Sequence, residues 1–400
     1  MNYQRPKIPR NVIVVAFVAL ASGFGQDLIT PIMPGFLTML GVSYAGIGLI
    51  DGMLQGSTSV FRFISGILSD RFKKRKFFVF FGYALSSVAR PLLALASTFG
   101  FVATMRVIDG VGKGMKDAPR DALIADSVAQ ETSGRAFGFH RLIDTAGSVL
   151  GPLVAAGLLF WLLPSLHTYR LIFFLAVIPG TIALSLIFFG VKEPEVIQKE
   201  KVKYDKPFPW QFWVFTAGTT IAMLTKVNDS LFLVRAHEIG ISSSWIPVLF
   251  AGFTLAYAGL SYPIGVLSDR FGKLPFITAG WLVLALVEIG FAYESTIPVA
   301  LVLFAFYGLF YALTEGTGRA LIADFVPPEA RGSAYAIFHT VVGLAIIIGG
   351  YGLGKIWDIF SVRATFSISA FGSFVGFLVL LLILMINKKM KLATSNSFFK

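Results

Sequence analysis

Long apolar stretches, separated by short polar turns, follow one another along the whole chain. Most hold about 20 residues or more, which lets an α-helix cross roughly 30 Å of hydrocarbon at about 1.5 Å per residue. The pattern predicts twelve membrane spans, numbered from the N-terminus, at residues 11–38, 44–68, 77–97, 99–122, 135–162, 169–190, 210–234, 244–268, 275–293, 297–322, 333–356 and 363–387. The sequence therefore predicts an all-α integral membrane protein.

Composition supports the same fold class and excludes several kinds of chemistry. Of the 400 residues, 56% are hydrophobic and 14% are charged, whereas a soluble domain has roughly a quarter charged residues. The chain has no cysteine, which excludes disulfides, thiol nucleophiles and cysteine-bound metals. Its 4 histidines show no metal-ligand spacing, and no nucleophile–base arrangement stands out. We therefore expect no metal, no cofactor and no enzymatic activity.

The first apolar stretch resembles a signal peptide at its beginning. Residues 11–22 follow Arg10 and end in an Ala-Leu-Ala sequence, as a cleavable leader does. The apolar stretch continues to about Leu37, however, and the internal repeat described next requires this helix. We therefore expect it to be retained as span 1.

Two short sequences occur twice, half a chain apart. Residues 66–72 (Gly-Ile-Leu-Ser-Asp-Arg-Phe) return as 265–271 (Gly-Val-Leu-Ser-Asp-Arg-Phe), an offset of 199. The sequence Ala-Leu-Ile-Ala-Asp occurs at 122–126 and 320–324, an offset of 198. Equal order and equal spacing predict two six-helix bundles related by a parallel pseudo-two-fold repeat, a known transporter design.

The repeat also predicts how the chain is divided. We expect an N-terminal six-helix bundle at 1–190, a charged linker at 191–209, a C-terminal six-helix bundle at 210–387 and a tail at 388–400. Cytoplasmic loops of membrane proteins carry an excess of Lys and Arg. By this rule 21 basic residues belong to the face that holds both termini and the linker, against 4 on the other face. The sequence thus predicts cytoplasmic termini and a cytoplasmic linker in a multi-pass protein of the cell membrane.

The two halves and the turn that follows spans 2 and 8 resemble the major facilitator superfamily of secondary transporters. The residues that match the family's loop signature are Gly66, Leu68, Asp70 and Arg71. Basic residues follow at 73–76, where two lysines replace a glycine that the second copy keeps as Gly272. The resemblance implies two six-helix bundles that move a small solute by alternating access.

Spans 4 and 5 resemble the family in part. In span 4 the family commonly has an arginine followed three and four residues later by glutamine and glycine, and here Arg106 is followed by Asp109 and Gly110. In span 5, Gly147-x-x-x-Gly151-Pro152 resembles a glycine–proline pattern seen especially in exporters, without its further glycines. These motifs indicate the transport class and leave the substrate open.

Span 4 carries five charged residues at spacings of three and four, which place them on one face of the helix. They are Arg106, Asp109, Lys113, Lys116 and Arg120. Counted from residue 99, Asp109 lies about 15 Å along the helix, near the midplane. Charges at that depth must face the protein interior or water rather than lipid. The stripe is a candidate substrate or proton pathway, and the alternative is a set of ion pairs that only hold the helices together.

Further charged residues lie at similar depth in other spans. Span 5 has Arg141 and Asp144 on one face, and we expect Asp144 to neutralise a span-4 cation. Spans 1 and 7 each hold an amide–acid pair that ends on Asp27 or Asp229, and Lys226 precedes the second pair. A buried acid with a cation nearby can carry a proton, so the acids at 27, 109, 144 and 229 are the candidates. Pro31 and Pro34 are expected to distort span 1.

Charged residues also cluster at the predicted cytoplasmic ends of the spans. The two repeated turns supply the candidate gate residues Gly66, Asp70, Arg71, Gly265, Asp269 and Arg270. Ion pairs among these and neighbouring charges are expected to hold the cytoplasmic side closed and to separate when it opens. One exposed pair contributes only about 0–1 kcal/mol, so a network would be needed to bias two conformations.

Secondary active transport of a small solute, coupled to protons, is the function that these features favour. The excess of cations along the predicted pathway favours an organic anion. Drug export is the alternative, supported by 40 phenylalanines and the span-5 motif. A transport-inactive sensor and a channel are less favoured, because no added domain is visible and the repeat favours rocking of two halves. The expected partners are the substrate, protons and the lipid bilayer; nucleic acid is not expected, and the protein is expected to be a monomer.

Overall fold

The computed structural model describes residues 8–128, 132–193, 206–327 and 330–397, with side chains to residue 386. Within these residues the fold is helical. The first half contains helices Arg10–Ile29, Met33–Met39, Tyr44–Phe72, Arg75–Leu92, Phe99–Asp126, Ser133–Leu162, Leu166–Leu175 and Val177–Gly190. The second half contains Trp210–Thr225, Asp229–Glu238, Ile246–Phe271, Lys273–Tyr293, Ile297–Phe325, Arg331–Ile359 and Val362–Ser397. They form the twelve predicted spans, three of which are interrupted.

By length and composition, nine spans in the described part of the chain are long and apolar enough to cross a membrane. Span 2 falls short because polar and glycine residues dilute its apolar side chains. Span 4 falls short because of its charged stripe, and span 7 because it is broken into two short helices. These three spans carry several of the polar residues of the interior.

Prolines explain two of the interruptions. Span 1 changes to a 3-10 turn at Thr30–Ile32 and resumes as Met33–Met39, so the predicted distortion at its two prolines is confirmed. Span 6 is divided at Ala176, and Pro179 lies in the first turn of its second part. Proline lacks the N–H that would bond to the preceding turn, which favours a helix start at these places.

The prediction that span 7 is one helix at 210–234 was wrong. It consists of Trp210–Thr225 and Asp229–Glu238, and Lys226, Val227 and Asn228 between them are not helical. Side chains accept hydrogen bonds from backbone N–H groups at the break. Asn228 Oδ1 accepts from Leu231 N at 3.2 Å, and Ser369 Oγ of span 12 accepts from Val227 N at 2.9 Å.

The last helix also differs from the prediction, since it continues to Ser397 rather than ending near 387. The sequence at 388–397 contains no glycine or proline that would end a helix. Part of the expected tail is therefore helical.

The repeat is visible in two equivalent ion pairs. Arg75 at the start of span 3 lies 3.4 Å from Asp126 at the end of span 4, measured from Nε to Oδ2. Lys273 at the start of span 9 lies 2.7 Å from Asp324 at the end of span 10, measured from Nζ to Oδ2. Each residue of the first pair is 198 positions before the corresponding residue of the second pair, so the two halves run in the same direction.

Glycines let helices approach closely within the first half. A methyl group added to Gly147 or Gly151 of span 5 would overlap backbone carbonyls of Leu20 or Phe24 in span 1. The glycines of span 4 have the same role, since a side chain at Gly112 would overlap span 3 and one at Gly114 would overlap span 2. The glycine–proline pattern of span 5 thus serves helix packing.

A second close approach joins the two halves. Span 2 packs on span 11 along a glycine seam formed by Gly48, Gly52, Gly56, Gly343, Gly350 and Gly354. A methyl group on Gly48 would overlap the carbonyl of Gly350, and one on Gly354 would overlap that of Tyr44. Because only glycine permits this spacing, the seam fixes how closely the halves meet.

The two ends of the spans define two faces of the molecule. Asn11 at the start of span 1 donates to the carbonyl of Lys192 at 3.0 Å, and Lys76 N at the start of span 3 donates to Glu193 at 3.1 Å. The first span, the end of span 6 and the repeated turns therefore share one face, which we call the terminal face. The other is the opposite face.

Hydrogen bonds between the halves close the opposite face. The Asp358 carboxylate at the end of span 11 accepts from the backbone N–H groups of Tyr44 and Ala45, both at 2.9 Å. The Tyr44 hydroxyl donates to Glu238 of span 7 at 2.9 Å, and its ring stacks on Trp357 at 4.8 Å. Asp358 thus caps the first turn of a helix in the other half, where the positive end of the helix dipole favours it.

The terminal side is open between the halves. Arg141 of span 5 donates to the Tyr257 hydroxyl of span 8 at 2.8 Å, so its side chain faces the other half. It is nevertheless 57% exposed. Water therefore reaches Arg141 at this interface, while the close backbone contacts between the halves lie along the glycine seam and at the Asp358 cap.

Candidate functional site

A buried ion cluster lies at the centre of the first half. Arg90 Nε of span 3 is 3.1 Å from Asp109 Oδ1, and Arg106 Nη1 is 3.6 Å from Asp109 Oδ2. Arg90 also donates to the Ser22 carbonyl at 3.0 Å and to Gln26 Oε1 at 3.4 Å. The cluster joins spans 1, 3 and 4, so these two charges of the span-4 stripe are engaged inside the bundle.

The stripe continues toward the terminal face through two lysines. Lys116 is buried, donates to Ser22 Oγ at 3.0 Å and lies over the Tyr83 ring at 4.1 Å. Lys113 is half-buried and interacts electrostatically with Asp27 of span 1. Asp27 is buried and accepts from the Gln26 amide at 3.4 Å. The structure therefore brings the predicted residues Asp27 and Lys113 into one electrostatic neighbourhood.

Asp144 of span 5 lies beside span 1. Its nearest ion-pair partner in the described structure is Arg141 of its own span, with Nη1 and Oδ2 3.9 Å apart. The acid that contacts the span-4 arginine is Asp109 itself, with Arg90 as the second cation. Span 5 packs on span 1, so Asp144 lies beside Gly23, and it interacts electrostatically with Arg120 of span 4. Its predicted role as a counter-ion for a span-4 cation stays a prediction.

Arg141 begins a polar chain that crosses the open interface. Its partner Tyr257 donates to Glu315 Oε2 of span 10 at 2.5 Å, and Glu315 pairs with Arg319 at 2.6 Å. Arg141 lies over the Tyr257 ring at 5.6 Å. This chain is accessible to water, so a solute that enters from the terminal face would meet it first.

The second half places its own ion cluster at the break in span 7. Lys226 Nζ is 3.4 Å from Asp229 Oδ1 and 2.8 Å from the Tyr307 hydroxyl of span 10. Tyr311 donates to Asp229 at 2.8 Å, and Tyr307 donates to the same oxygen. The predicted residues Lys226 and Asp229 thus lie together, held by two tyrosines that the sequence did not reveal.

Aromatic rings surround this cluster. Phe253 of span 8 stacks on Tyr307 at 5.3 Å and meets the Tyr311 ring edge-on at 5.4 Å. Tyr257 lies 5.9 Å from Tyr311, which continues the aromatic surface toward the terminal opening. Lys226 lies 5.3 Å and 5.4 Å from the two tyrosine rings, within range of cation–π attraction.

Behind the break lies a buried acid that sequence reasoning missed. Glu288 of span 9 is 0% exposed and accepts hydrogen bonds from Ser369 and, at 2.6 Å, from Ser373 of span 12. Ser369 in turn accepts from Val227 N in the break. A lone acid in an apolar span was the available signal, because such residues are rarely placed there without a role.

A second missed acid lies in the first half. Asp51 of span 2 is 5% exposed, and its carboxylate faces the backbone amide of Ser230 in span 7. It interacts electrostatically with Arg106 on its own side and with Asp229 and Lys226 across the interface. The two ion clusters therefore approach each other at Asp51.

The candidate gate residues lie at the terminal face, and in the described structure Asp70 is the one among them that forms an ion pair. Asp70 pairs with Arg75, which also reaches Asp126, and Gly66 packs near Ala118 with 3.5 Å between Cβ positions. Arg71, Asp269 and Arg270 are exposed, and Gly265 has free space around it. Among the described residues, none of these charges pairs with the other half, as suits a structure that is open on this side.

Three comparisons place the chain among known proteins. The Major Facilitator Superfamily model matches residues 15–225 and 212–397. An uncharacterized MFS-type transporter of Methanocaldococcus jannaschii is 31% identical over 391 residues, which cover 96% of this chain and 97% of that protein. The quinolone resistance protein NorA of Staphylococcus aureus is 22% identical over 366 residues, covering 88% and 90%. A crystal structure of the nucleoside transporter NupG superposes with a TM-score of 0.79 at 13% identity, covering 92% of this chain and 98% of that one.

Proposed function

Because the chain belongs to the major facilitator superfamily of membrane transporters, we propose that it moves a small organic anion across the cell membrane by proton-coupled alternating access. In this proposal the terminal face is cytoplasmic, as the excess of basic residues there favours. The structure then corresponds to an inward-open state, and the protein works as a monomer. Transport requires a second state in which the opposite face opens and the terminal face closes.

The position of Lys226 carries the assignment of an anion. It stands at the break in span 7, next to the start of the helix Asp229–Glu238, where the helix dipole favours negative charge. Discontinuous spans at the interface of two halves are typical sites for anionic substrates. Lys113 and Arg141 add positive charge from the other half, so an anion between the halves would be attracted from both sides.

Alternating access follows from where the halves touch. The glycine seam and the Asp358 cap hold the opposite face together, while Arg141 and Tyr257 remain in contact on the terminal side of the interface. A rocking motion would separate the Asp358 cap and bring the two terminal ends together. The exposed charges at 269–270 and the Asp70–Arg75 pair are available to close that side.

Export of a cationic drug is the second candidate, and one observation favours it. The rings of Phe253, Tyr307 and Tyr311 form an aromatic surface beside Asp229, and such a surface attracts cations and flat apolar molecules. The similarity to a quinolone resistance protein points in the same direction.

Transport assays in proteoliposomes separate the two candidates. Purified protein is reconstituted, a pH gradient is imposed, and uptake is measured for a panel of carboxylate anions and a panel of cationic drugs. Anion transport that weakens strongly in Lys226→Ala supports the proposal. Drug transport that survives or improves in Lys226→Ala, and is lost in Asp229→Asn, supports drug export instead.

A further inference from the structure

Asp51 is a buried acid that forms no ion pair in the described structure. It is 5% exposed, and its Oδ2 atom has no hydrogen-bond partner. In the described part of the chain Asp109 has two arginines and Asp229 has Lys226 within ion-pair distance, whereas Asp51 has no cation that close. An ionised carboxylate in such a position is costly, because the Ser230 amide replaces only part of its lost hydration.

Asp51 is surrounded by contacts that cross from one half to the other. These contacts are present only while the two halves touch on the opposite face. Gly48, one turn before Asp51, accepts a hydrogen bond from the Asn228 side chain at 2.9 Å. Asp229 follows Asn228 directly, and the Asp51 carboxylate faces the amide of Ser230. Opening of the opposite face would separate these groups and expose Asp51 to water.

The nearby Asp229 carboxyl group determines whether the protonated or the ionised form of Asp51 is favoured when the opposite face is closed. The Asp229 carboxyl group receives hydrogen bonds from Lys226, Tyr307 and Tyr311. A second carboxylate brought beside it is repelled as well as dehydrated. A proton on Asp51 removes both penalties, as in other acid pairs that hold one proton between them.

The remaining charged neighbours do not reverse this balance. Arg106 attracts an ionised Asp51, but its charge is already opposed by Asp109 at 3.6 Å. Lys226 is engaged by Asp229 and Tyr307. On span 11 the contact surface consists of Ile347 and the glycines of the seam, which carry no charge.

We propose that Asp51 is a proton-binding site that takes up one proton when the opposite face closes against Asp229 and releases it when that face opens. The inference rests on the proposed alternating access and names the group through which protons act on it. It also gives Asp229 a role across the interface, as the negative charge that makes the proton necessary.

The test measures the conformation and requires no substrate, so its failure is distinguishable from a failure to transport. The chain has no cysteine, so spin labels can be placed at Ser97→Cys and Ser295→Cys on the opposite face. Their distance distribution is recorded at several pH values in lipid nanodiscs. The expected result is a closed state at low pH that gives way to an open state as pH rises, with the ratio changing up to about tenfold per pH unit, as linkage of one proton requires.

Four variants test whether Asp51 is the group that binds the proton. Asp51→Asn imitates the protonated acid and should stay closed at every pH. Asp229→Asn removes the repulsion that penalises an ionised Asp51 in the closed state, so the closed state should persist to higher pH or at every pH. Glu288→Gln is the matched control, because it neutralises another buried acid, and it should keep the normal transition. Asp51→Glu keeps an acid and should keep a transition, which covers the case in which the asparagine variant does not fold.

Three outcomes would overturn the proposal. The first is a wild-type distribution that does not change with pH. The second is a transition that persists unchanged in Asp51→Asn. The third is loss of the transition in Glu288→Gln with retention in Asp51→Asn, which would assign the proton to the acid behind the break.

Discussion

Arg90 and Asp109 form a buried ion pair between spans 3 and 4, with 3.1 Å between Nε and Oδ1. The pair joins three helices, because Arg90 also binds the Ser22 carbonyl of span 1. Removing one member of a buried pair leaves an uncompensated charge, which typically costs about 3–5 kcal/mol. The first half therefore depends on this contact for its internal packing.

Arg90→Ala is accordingly expected to lower the stability of the folded protein by about 3–5 kcal/mol. The measurement is thermal unfolding in detergent, followed by the intrinsic fluorescence of tryptophan. Arg71→Ala is the control, since Arg71 is exposed and has no ion-pair partner in the described structure. Equal unfolding temperatures for the two variants would contradict this role of Arg90.

Arg106→Ala and Asp109→Asn distinguish scaffold from mechanism. Both side chains are 2% exposed and engaged within the half, so we expect a loss of stability and yield. If they serve only packing, the fraction that folds will transport at the normal rate. Transport per folded molecule is the deciding quantity. Its loss in both variants would show that Arg106 and Asp109 belong to the substrate or proton pathway.

The Asp358 cap gives a prediction for the opposite face. The two carboxylate oxygens of Asp358 accept from the N–H groups of Tyr44 and Ala45. In Asp358→Asn the side chain is an uncharged amide with one oxygen, which is a weaker acceptor. A loss of about 1 to 2 kcal/mol would shift the two conformations roughly tenfold toward the state with the opposite face open. Spin labels at Ser97→Cys and Ser295→Cys report this shift, and Glu294→Gln on the same face is the control. An unchanged distance distribution would show that Asp358 does not hold the face closed.

The terminal face is predicted to be cytoplasmic. A cysteine at Lys206, which is exposed in the linker, should react with an impermeant maleimide only after the cell membrane is opened. A cysteine at Ser295 should react in intact cells. Lys201 of the linker and Lys389 of the tail belong to the same predicted cytoplasmic face but lie outside the residues whose side chains are described, so Lys206 is the labelling site. The reverse labelling pattern would invert the proposed orientation.

The two copies of the repeated turn are predicted to differ. Asp70 is tied to Arg75, whereas Asp269 is exposed without an ion-pair partner in the described structure. Asp70→Asn should therefore slow transport by disturbing the contact between spans 2 and 3, and Asp269→Asn should have a smaller effect in this conformation. Initial rates of uptake at equal protein amounts test this difference. Equal rates for wild type and both variants would remove the turns from the gating mechanism.

The architecture could be predicted from sequence because it depends on local and repeated patterns. Hydropathy gave the twelve spans, and the offset of 198 gave the parallel halves that the Arg75–Asp126 and Lys273–Asp324 pairs now display. Pro31 and Pro34 marked the distortion of span 1. The break in span 7 carries no proline, so it escaped prediction; it depends on Ser369, which lies 142 positions away from Val227.

The site was only partly predictable, because its contacts join distant helices. Charge spacing within span 4 identified Arg106 and Asp109, but periodicity on one helix does not show that Arg90 of another helix binds there. Asp51 and Glu288 are single acids in apolar spans, and neither belongs to a repeated or regularly spaced pattern that would mark it in the sequence. Their importance follows from burial and from the lack of a close cation, which are properties of the packed structure.

Uptake into proteoliposomes under an imposed pH gradient tests the central claim most directly. We expect an organic anion to accumulate against its concentration gradient while the proton gradient lasts, and to stop accumulating when the gradient is gone. We also expect accumulation to collapse when a protonophore is added and to be lost in Lys226→Ala, but not in the surface variant Glu294→Gln. Accumulation that ignores the pH gradient would contradict proton coupling. Normal anion uptake by Lys226→Ala, or transport confined to cationic drugs, would contradict the site and substrate proposed for this transporter.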